Sequence, residues 1–258
     1  PFAIQGIARD ITARKKADRQ LLKYAEELKE LNSTKIKLFS IIAHDLKSPF
    51  HGLLGVSNIL SNEIENLSKE EIANLSSGLY QSLQQQYSLV EKLLDWSRVQ
   101  AGRIEYNPVK INLSQRVEEI FKSLRINSNE KNIRLNNEIK TEVEVLADPY
   151  MLDSILHNLV SNSIKFSSEG GQIYLRSQNR NDYAEVHVVD LGIGISRANV
   201  AKLFQIDSTV VTSGTANEKG TGLGLVLCKD FVKKHGGKLW VESEEGKGSA
   251  FKFWIPKI

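Results

Sequence analysis

A repeating apolar pattern early in the chain constrains its fold more than any other feature. Residues 14–48 contain neither glycine nor proline, and their apolar positions recur at alternating spacings of three and four. These positions are Leu21, Tyr24, Leu28, Leu31, Lys35, Leu38 and Ile42, with lysine as the one charged member. Such a heptad seam cannot be buried by one helix. The pattern therefore predicts a long helix that packs against a partner helix or a second chain.

A second amphipathic helix is predicted after a polar stretch from Ser61 to Ser68, and it ends near Ala101-Gly102. Its apolar face is formed by Ile72, Leu75, Leu79, Ser82, Gln86, Leu89, Leu93 and Trp96. Two long helices joined by a short loop form an antiparallel hairpin, and two hairpins form a four-helix bundle. We therefore expect a homodimer assembled through the helical hairpins.

Past Pro108 the pattern changes to alternating helices and strands, which predicts an α/β domain. Helices are expected at residues 114–131, from the capping pair Asp148-Pro149 to Phe166, from Ser196, and up to His235. Strands are expected at residues 133–139, 143–146, 172–177, 184–189, 238–242 and 249–255, the last two as a hairpin. A segment rich in glycine, serine and threonine, Asp207 to Thr221, is predicted to be mobile.

Composition excludes several classes of function. Of the 258 residues, 41% are hydrophobic and 25% charged, which is typical of a soluble globular protein. The formal charge of +3 is too small to favour nucleic acid binding, and no apolar run is long enough for a membrane contact. The single cysteine, Cys228, is expected to be a buried thiol and fits a reducing, cytoplasmic compartment. Because the chain starts at Pro1, we interpret it as a fragment of a longer polypeptide.

His44 is the histidine whose neighbours suggest chemistry. It follows Ile42 by two positions, about 200° around the helix from the seam. Asp45 comes next, and Pro49 cannot donate to the carbonyl of Asp45, so the helix is predicted to loosen or kink there. A neutral imidazole is a competent nucleophile, and a carboxylate can fix its tautomer. The other histidines are interpreted as surface residues: His51, His157, His187 and His235.

Three elements of the second domain suggest a polyphosphate site. Asn158, Asn162 and Lys165 share one face of a helix, where amide oxygens can bind Mg²⁺ and the ammonium can bind phosphate. The segment Asp190-Leu-Gly192-Ile-Gly194 follows a strand, and its carboxylate can accept a hydrogen bond from an exocyclic amine. The segment Gly220-Thr221-Gly222-Leu223-Gly224 opens a helix whose amides favour phosphate. The order and spacing of these elements are more specific than any one of them.

With these residues, the chain resembles the transmitter core of the sensor histidine kinases over residues 14–258. Phe39 to Pro49 is similar to the phosphoacceptor box, Asn158 to Phe166 to the asparagine box, and Asp190 to Ile195 and Gly220 to Leu225 to the two glycine boxes. Leu203-Phe204 resembles the element before a flexible ATP lid, and Phe2 to Thr12 resembles the end of a PAS sensor domain. The implied domains are 1–13, a PAS remnant; 14–102, a coiled-coil linker and HisKA-type hairpin; 103–111, a linker; and 112–258, an ATP-binding α/β sandwich with a mixed sheet.

The resemblance also implies roles for residues. His44 would accept the phosphoryl group with Asp45 as general base, and Asn162 would be the Mg²⁺ ligand. The nucleotide ATP would be bound by Asn158, Lys165, Phe166, Asp190, Gly192, Gly194, Lys219, Gly220, Thr221, Gly222, Leu223 and Gly224. The phosphoryl group would pass to an aspartate of a response-regulator receiver domain, under control of an upstream PAS domain. The resemblance leaves membrane attachment of the full-length protein open.

Two departures from the family pattern and two rival functions bear on this prediction. Ser163 replaces the usual alanine, and Ser48 stands where threonine or asparagine is common in a position linked to phosphatase activity. Related gyrase, MutL and chaperone ATPases carry a water-activating glutamate four residues before the metal asparagine, where this chain has Asn158. That difference favours transfer to a protein group over hydrolysis. The other rival is a degenerate kinase that acts as a dimeric scaffold. The presence of every ATP-binding element and of His44 argues against it.

Overall fold

A computed structural model describes residues 12–101, 104–204, 214–216, 218 and 222–257. Within the first helix, the side chains of His44, Asp45 and Ser48 lie outside the description, and so do the predicted PAS remnant before Thr12 and most of the predicted mobile segment. The chain divides into two compact units, Pro1–His51 and Gly52–Ile258.

Two long helices come first, as the heptad pattern predicts. Helix α1 spans Thr12–Asn62, a 3₁₀ turn covers Ile64–Asn66, and helix α2 spans Lys69–Gln100. A reciprocal cap begins α2, because the Ser68 hydroxyl accepts from the Glu71 amide at 3.2 Å and the Glu71 carboxylate accepts from the Ser68 amide at 2.8 Å. The predicted helical hairpin is therefore confirmed, with α1 assigned as one helix through Pro49.

The second region is an α/β domain. Its helices are α3 Leu113–Ser123, α4 Arg125–Glu130, α5 Pro149–Phe166, α6 Arg197–Val200 and α7 Leu223–Lys234. Its strands are β1 Val109–Asn112, β2 Arg134–Asn137, β3 Glu144–Ala147, β4 Gln172–Asn179, β5 Tyr183–Asp190, β6 Lys238–Glu244 and β7 Gly248–Pro256. The main sheet has the order β2-β4-β5-β7-β6, in which only the β2–β4 pair is parallel, and β1 pairs with β3 in a separate antiparallel ribbon. The predicted mixed sheet is confirmed.

The core of this domain lies between the sheet and the helices α5 and α7. Leu152, Ile155 and Leu159 of α5 are fully buried. Phe231 of α7 and Phe253 of β7 are buried as completely, and Cys228 is buried as the sequence predicts. Removal of this much apolar surface from water is the main stabilising contribution to the domain.

The structure differs from the predictions at two elements. The single helix expected at residues 114–131 is two helices, since α3 ends at Ser123 and α4 begins at Arg125. The strand β1 was not predicted, because it has only four residues, none of them buried, and its partner β3 lies more than thirty residues later. The β1–β3 pairing thus joins segments that are distant in sequence.

The segment that follows α2 is attached to the α/β domain. The Lys234 ammonium donates to the Ile104 carbonyl at 2.7 Å, the Asn107 amide donates to Asp148 at 3.0 Å, and Tyr106 meets the His235 ring edge-on. Tyr150 donates a hydrogen bond to Asp95 of α2. Helix α2 is thus held against α5 and α7.

Two histidines interpreted as surface residues are buried. His235 is 2% exposed, its Nδ1–H donates to the Phe231 carbonyl at 2.8 Å, and its Nε2 accepts from the Asp148 amide at 3.0 Å. His187 is 9% exposed and lies 2.6 Å from the Glu185 carboxylate. The surface interpretation was wrong for both, because a single histidine in sequence gives no sign of its distant partners. In the described residues, no helix is apolar enough over a sufficient length to cross a membrane.

Candidate nucleotide site

Helix α5 carries three of the predicted site residues on one face. Asp148 caps its first turn by accepting from the Met151 amide at 3.1 Å, and Pro149 occupies the first helical position. The rest of the helix is anchored in the core, so its polar face is held rigidly. Asn158, Asn162 and Lys165 follow each other by four and three residues along this face, as the sequence predicts.

Asn158 is nearly buried and oriented by its own helix. Its side-chain amide donates to the Ser154 carbonyl at 2.8 Å, and the residue is 8% exposed. A Cβ atom at Gly224 of α7 would lie only 2.7 Å from the Asn158 Oδ1. Any side chain at position 224 would therefore force the Asn158 carboxamide to shift from its hydrogen bond with Ser154, and glycine avoids this at the close approach of α7 to α5. The structure brings the asparagine helix and the second glycine segment together.

Asn162 and Lys165 lie further along the same face. In the described part of the chain, the half-buried Asn162 carboxamide has no hydrogen-bond partner. The Lys165 ammonium lies 4.8 Å from the centre of the Phe166 ring. Burial lowers the pKa of Lys165 below its ordinary value, and the nearby Glu218 carboxylate opposes that change. Both polar groups are available to a ligand.

Asp190 ends strand β5 and is buried, with 3% exposure. Its Oδ1 accepts from the Gly192 amide at 3.0 Å and from the Ser249 amide at 3.2 Å. Burial raises the pKa of the Asp190 carboxyl, although these hydrogen bonds oppose the change. The carboxyl is thus fixed in orientation by the turn that contains Gly192 and Gly194.

The Asp190 turn also contacts the end of α5. The Ile193 amide donates to the Phe166 carbonyl at 3.1 Å, which places the first glycine segment beside Lys165 and Phe166. The Gly194 backbone has a positive φ of 66°. The two segments that the sequence analysis treated as separate elements therefore form one surface.

Ser163 is a residue whose contribution the sequence did not predict. Its hydroxyl is buried and lies 3.4 Å from Asp190 Oδ2, while Ser249 supplies a backbone donor to the other carboxylate oxygen. Position 163 was expected only to tolerate serine in place of alanine. The structure shows that this hydroxyl is a weak additional donor to the carboxyl group.

The second glycine segment is described only in part. Gly222 has a φ of 69° and precedes α7, whose first turn has no side-chain cap. Leu223 is 6% exposed and packs into the core, which fixes the start of the helix. The free amides of this first turn and the helix dipole suit a phosphate group. Lys219, Gly220 and Thr221 lie outside the described residues.

The site fits Mg²⁺ through an amide oxygen. Among the described residues, no group of three or more His, Cys, Asp and Glu side chains could hold a metal by itself. Mg²⁺ is commonly bound by one or two protein oxygens together with waters and substrate phosphates. The unpartnered Asn162 carboxamide on the polar face of α5 provides such an oxygen. His44 lies within α1, in the unit that ends at His51.

Comparison with known families and proteins agrees with this geometry. Residues 34–102 match the His Kinase A (phospho-acceptor) domain, and residues 147–258 match the histidine kinase-, DNA gyrase B- and HSP90-like ATPase domain. The chain is 32% identical to the circadian input-output histidine kinase CikA of Synechococcus elongatus over 88% of this chain and 30% of that protein. Such curated relatives are longer: the chain spans about half or less of their length.

Two solved structures share the fold. The catalytic domain of histidine kinase ThkA is 31% identical, with a TM-score of 0.51 over 60% of this chain and 97% of that one. ThkA in complex with the response regulator protein TrrA has a TM-score of 0.69 at 24% identity, over 93% of this chain and 67% of that one. The chain belongs to the histidine kinase family, and residues 147–258 form its ATP-using domain.

Proposed function

We propose that this chain is the core of a sensor histidine kinase that phosphorylates His44 with Mg·ATP and then passes the phosphoryl group to a response regulator. The observation that carries the proposal is the meeting of three separate segments at one surface. The polar face of α5, the Asp190 carboxyl and the start of α7 come together through the Ile193–Phe166 hydrogen bond and the Gly224–Asn158 contact.

Each residue of this surface has a chemical task. The oriented Asp190 carboxyl accepts a hydrogen bond from the exocyclic amine of adenine, and the Lys165 ammonium binds phosphate oxygens. Asn162 would hold Mg²⁺, and the metal would supply positive charge to neutralise the phosphates. The first amides of α7, after Gly222, bind the phosphates. Lys219, Gly220 and Thr221 are proposed to bind the phosphates at the same site.

The reaction is an in-line transfer. The lone pair of an imidazole nitrogen of His44 attacks the γ-phosphorus, the bond from that phosphorus to the β,γ-bridging oxygen breaks, and ADP leaves with the electron pair. Asp45 takes the proton from the other ring nitrogen, which leaves a neutral phosphohistidine. In the second step, a receiver-domain aspartate attacks the same phosphorus, the bond from phosphorus to the His44 nitrogen breaks, and the imidazole leaves as a neutral ring because Asp45 returns the proton to its other nitrogen. If the protein also removes phosphate from the regulator, the Ser48 hydroxyl is the group proposed for that reaction.

The residue at position 158 supports transfer over hydrolysis. The related ATPases use a glutamate where this chain has Asn158, and the Asn158 amide group is already engaged with the Ser154 carbonyl. A carboxamide cannot take a proton from water at neutral pH. The proposed assembly is a homodimer through the helical hairpins, with an upstream PAS domain. A cytoplasmic location is proposed for this portion, and the use of ATP supports it.

Labelling with γ-labelled ATP and Mg²⁺ tests the proposal. We expect acid-labile, base-stable label on the chain that is absent in His44→Gln and unchanged in His51→Gln, a control whose exposed histidine lies two turns further along α1. Once the chain is labelled, it should pass the label to an added receiver domain without further ATP. Label that survives His44→Gln, or no label on the natural chain, would show that the proposed phosphoacceptor is wrong.

A further inference from the structure

Lys131 caps the C-terminal end of helix α5. It lies between α4 and β2, and its side chain is 13% exposed. The Lys131 ammonium donates to the Ile164 carbonyl at 3.2 Å and to the Lys165 carbonyl at 3.0 Å. Carbonyl groups in the last turn of a helix lack intrahelical partners, and the helix dipole favours a cation beside them. Lys131 therefore stabilises the end of α5 where Lys165 and Phe166 are placed.

The same ammonium holds a second segment, here called the Thr215 turn and made of Gly214, Thr215, Ala216 and Glu218. Lys131 donates to the Thr215 hydroxyl at 2.8 Å, and it forms an ion pair of 2.5 Å with the Glu218 carboxylate. An ammonium has three protons, so all of them are shared among the α5 carbonyls and this turn. Lys131 thus joins two segments more than forty residues apart.

Contacts of the turn itself complete the attachment. The Thr215 amide donates to the Lys165 carbonyl at 3.1 Å, and its hydroxyl donates to the Ser167 carbonyl at 2.7 Å. Glu218 closes the turn, because its carboxylate accepts from the Ala216 amide at 2.9 Å and its carbonyl accepts from the Gly214 amide at 2.9 Å. A Cβ atom at Gly214 would lie 2.6 Å from Lys165 Cγ, so the turn passes directly over the Lys165 stem.

Electrostatics couples this cluster to the candidate phosphate ligand. The Lys165 pKa is lowered first by burial, Glu218 opposes that change, and Lys131 adds to it. Glu218 has a pKa below its ordinary value, since hydrogen bonds from Lys131 and two amides outweigh the effect of burial. The carboxylate therefore balances two neighbouring ammonium groups.

We propose that Lys131 is a positioning residue for ATP binding, acting through Lys165 and the Thr215 turn. This inference rests on the proposed function. Lys131 fixes the end of the helix that carries Lys165, and it also holds the Thr215 turn against that helix end. Groups that are held in place before a ligand arrives need less ordering on binding, so affinity for the phosphates rises.

The test compares Lys131→Met, which keeps an apolar stem of similar length, with Lys122→Met, an exposed lysine on α3. ATP and adenosine affinities are measured by titration calorimetry in the presence of Mg²⁺. We expect Lys131→Met to weaken ATP binding by about tenfold, the usual effect of removing a charged hydrogen bond. Adenosine binding and all affinities of Lys122→Met should be unchanged, and Lys131→Arg should recover most of the ATP affinity.

Two further measurements separate positioning from general stability. Hydrogen exchange at the Thr215 and Ala216 amides should be faster in Lys131→Met, while exchange in the core of α5 is unchanged. The double variant Lys131→Met/Glu218→Gln should bind ATP no more weakly than Lys131→Met alone, because loss of Lys131 already breaks its ion pair with Glu218.

The outcomes are distinguishable. Equal ATP affinity in Lys131→Met and the natural chain, or an equal loss of ATP and adenosine binding, would overturn the positioning role. Failure of the natural chain to bind ATP would instead contradict the proposed function, whatever the variants do.

Discussion

The helical region and the α/β domain differ in how their apolar residues are buried. Leu21 and Tyr24 of the heptad seam are 65% and 59% exposed in the single chain, whereas Leu113, Val145 and Phe253 of the α/β domain are completely buried. Exposed apolar side chains at heptad positions are typical of a surface that meets a partner. The α/β domain completes its core within one chain, and we expect the helical region to need a second copy.

This difference predicts that nucleotide binding and self-association are separable. The candidate nucleotide site is built from α5, the Asp190 turn and α7, all within one chain. The predicted phosphoacceptor lies on α1, the helix that carries the heptad seam. Substitutions in one region should leave the property of the other unchanged, and four substitutions or conditions examine this in order of expected effect.

Asn162→Ala should have the largest effect. Removal of the free carboxamide deletes the proposed Mg²⁺ ligand, so the rate of phosphohistidine formation should fall by at least about a hundredfold. Asn129→Ala, an exposed position on α4, is the matched control and should be fully active. Sedimentation should show that both variants associate like the natural chain, and a shift of Asn162→Ala to monomer would contradict the separation of the two regions.

Tyr24→Asp should weaken self-association and leave ATP affinity unchanged. Burial of a large apolar side chain contributes about 1.5–3 kcal/mol, and a dimer loses two of them, so the dissociation constant should rise at least about a hundredfold. Gln20→Asp places the same charge on an exposed position outside the seam and should associate normally. Association is measured by sedimentation and ATP affinity by calorimetry. Unchanged association in Tyr24→Asp would show that the heptad seam is not part of the interface.

Gly224→Ala sharpens the comparison by using the same substitution in both regions. The new methyl group would lie 2.7 Å from Asn158 Oδ1. ATP affinity should therefore fall by about tenfold, a free-energy change within the range that overpacking produces. Gly78→Ala on α2 meets no atom within 4 Å, and it should raise stability by about 0.5–1 kcal/mol with no change in ATP affinity. Equal ATP affinity in both variants would contradict the close approach of α7 to α5.

Acidification should have the smallest effect. It should lower the free energy of unfolding of the α/β domain. Burial lowers the pKa of His235 below its ordinary value of 6.5, and the pKa of His157 shifts in the same direction. Below about pH 6.5 the unfolded chain therefore binds more protons than the folded chain. The contribution of these histidines to the free energy of unfolding is complete above about pH 6.5 and is lost as the pH falls below it. The slope contributed by each histidine is at most about 1.4 kcal/mol per pH unit.

Urea unfolding between neutral pH and pH 5 measures this dependence. His235→Gln should unfold at lower urea concentration at neutral pH, since Nε2 no longer accepts from the Asp148 amide, and should show a shallower pH dependence than the natural chain. An equal pH dependence in both would show that His235 does not contribute to it.

Local patterns in the sequence were sufficient for several parts of the fold. The cap at Asp148-Pro149 and the end at Phe166 agree with the observed bounds of α5. The strands of the final hairpin and the buried Cys228 were also predicted. In each case the signal lies within a few neighbouring residues, because caps, helical periodicity and strand alternation are local properties of the chain.

Contacts between distant segments required the structure. Lys131 gave no signal, since its partners at residues 164, 165, 215 and 218 lie in other elements. The link between Ser163 and Asp190 and the burial of His235 against Asp148 are of the same kind. These groups acquire their roles only when the chain brings them together, so no spacing in the sequence distinguishes them.

The heptad seam and the three polar elements of the second domain were determined by the sequence itself. Helical periodicity places residues three and four apart on one face, whatever the rest of the chain does. That the polar elements form one surface was decided by tertiary structure. Helices α5 and α7 bury their apolar sides together against the sheet, and this packing brings Gly224 against Asn158 and the Ile193 amide to the Phe166 carbonyl. Burial of apolar surface supplies the free energy for this arrangement, and it acts between segments that the sequence keeps far apart.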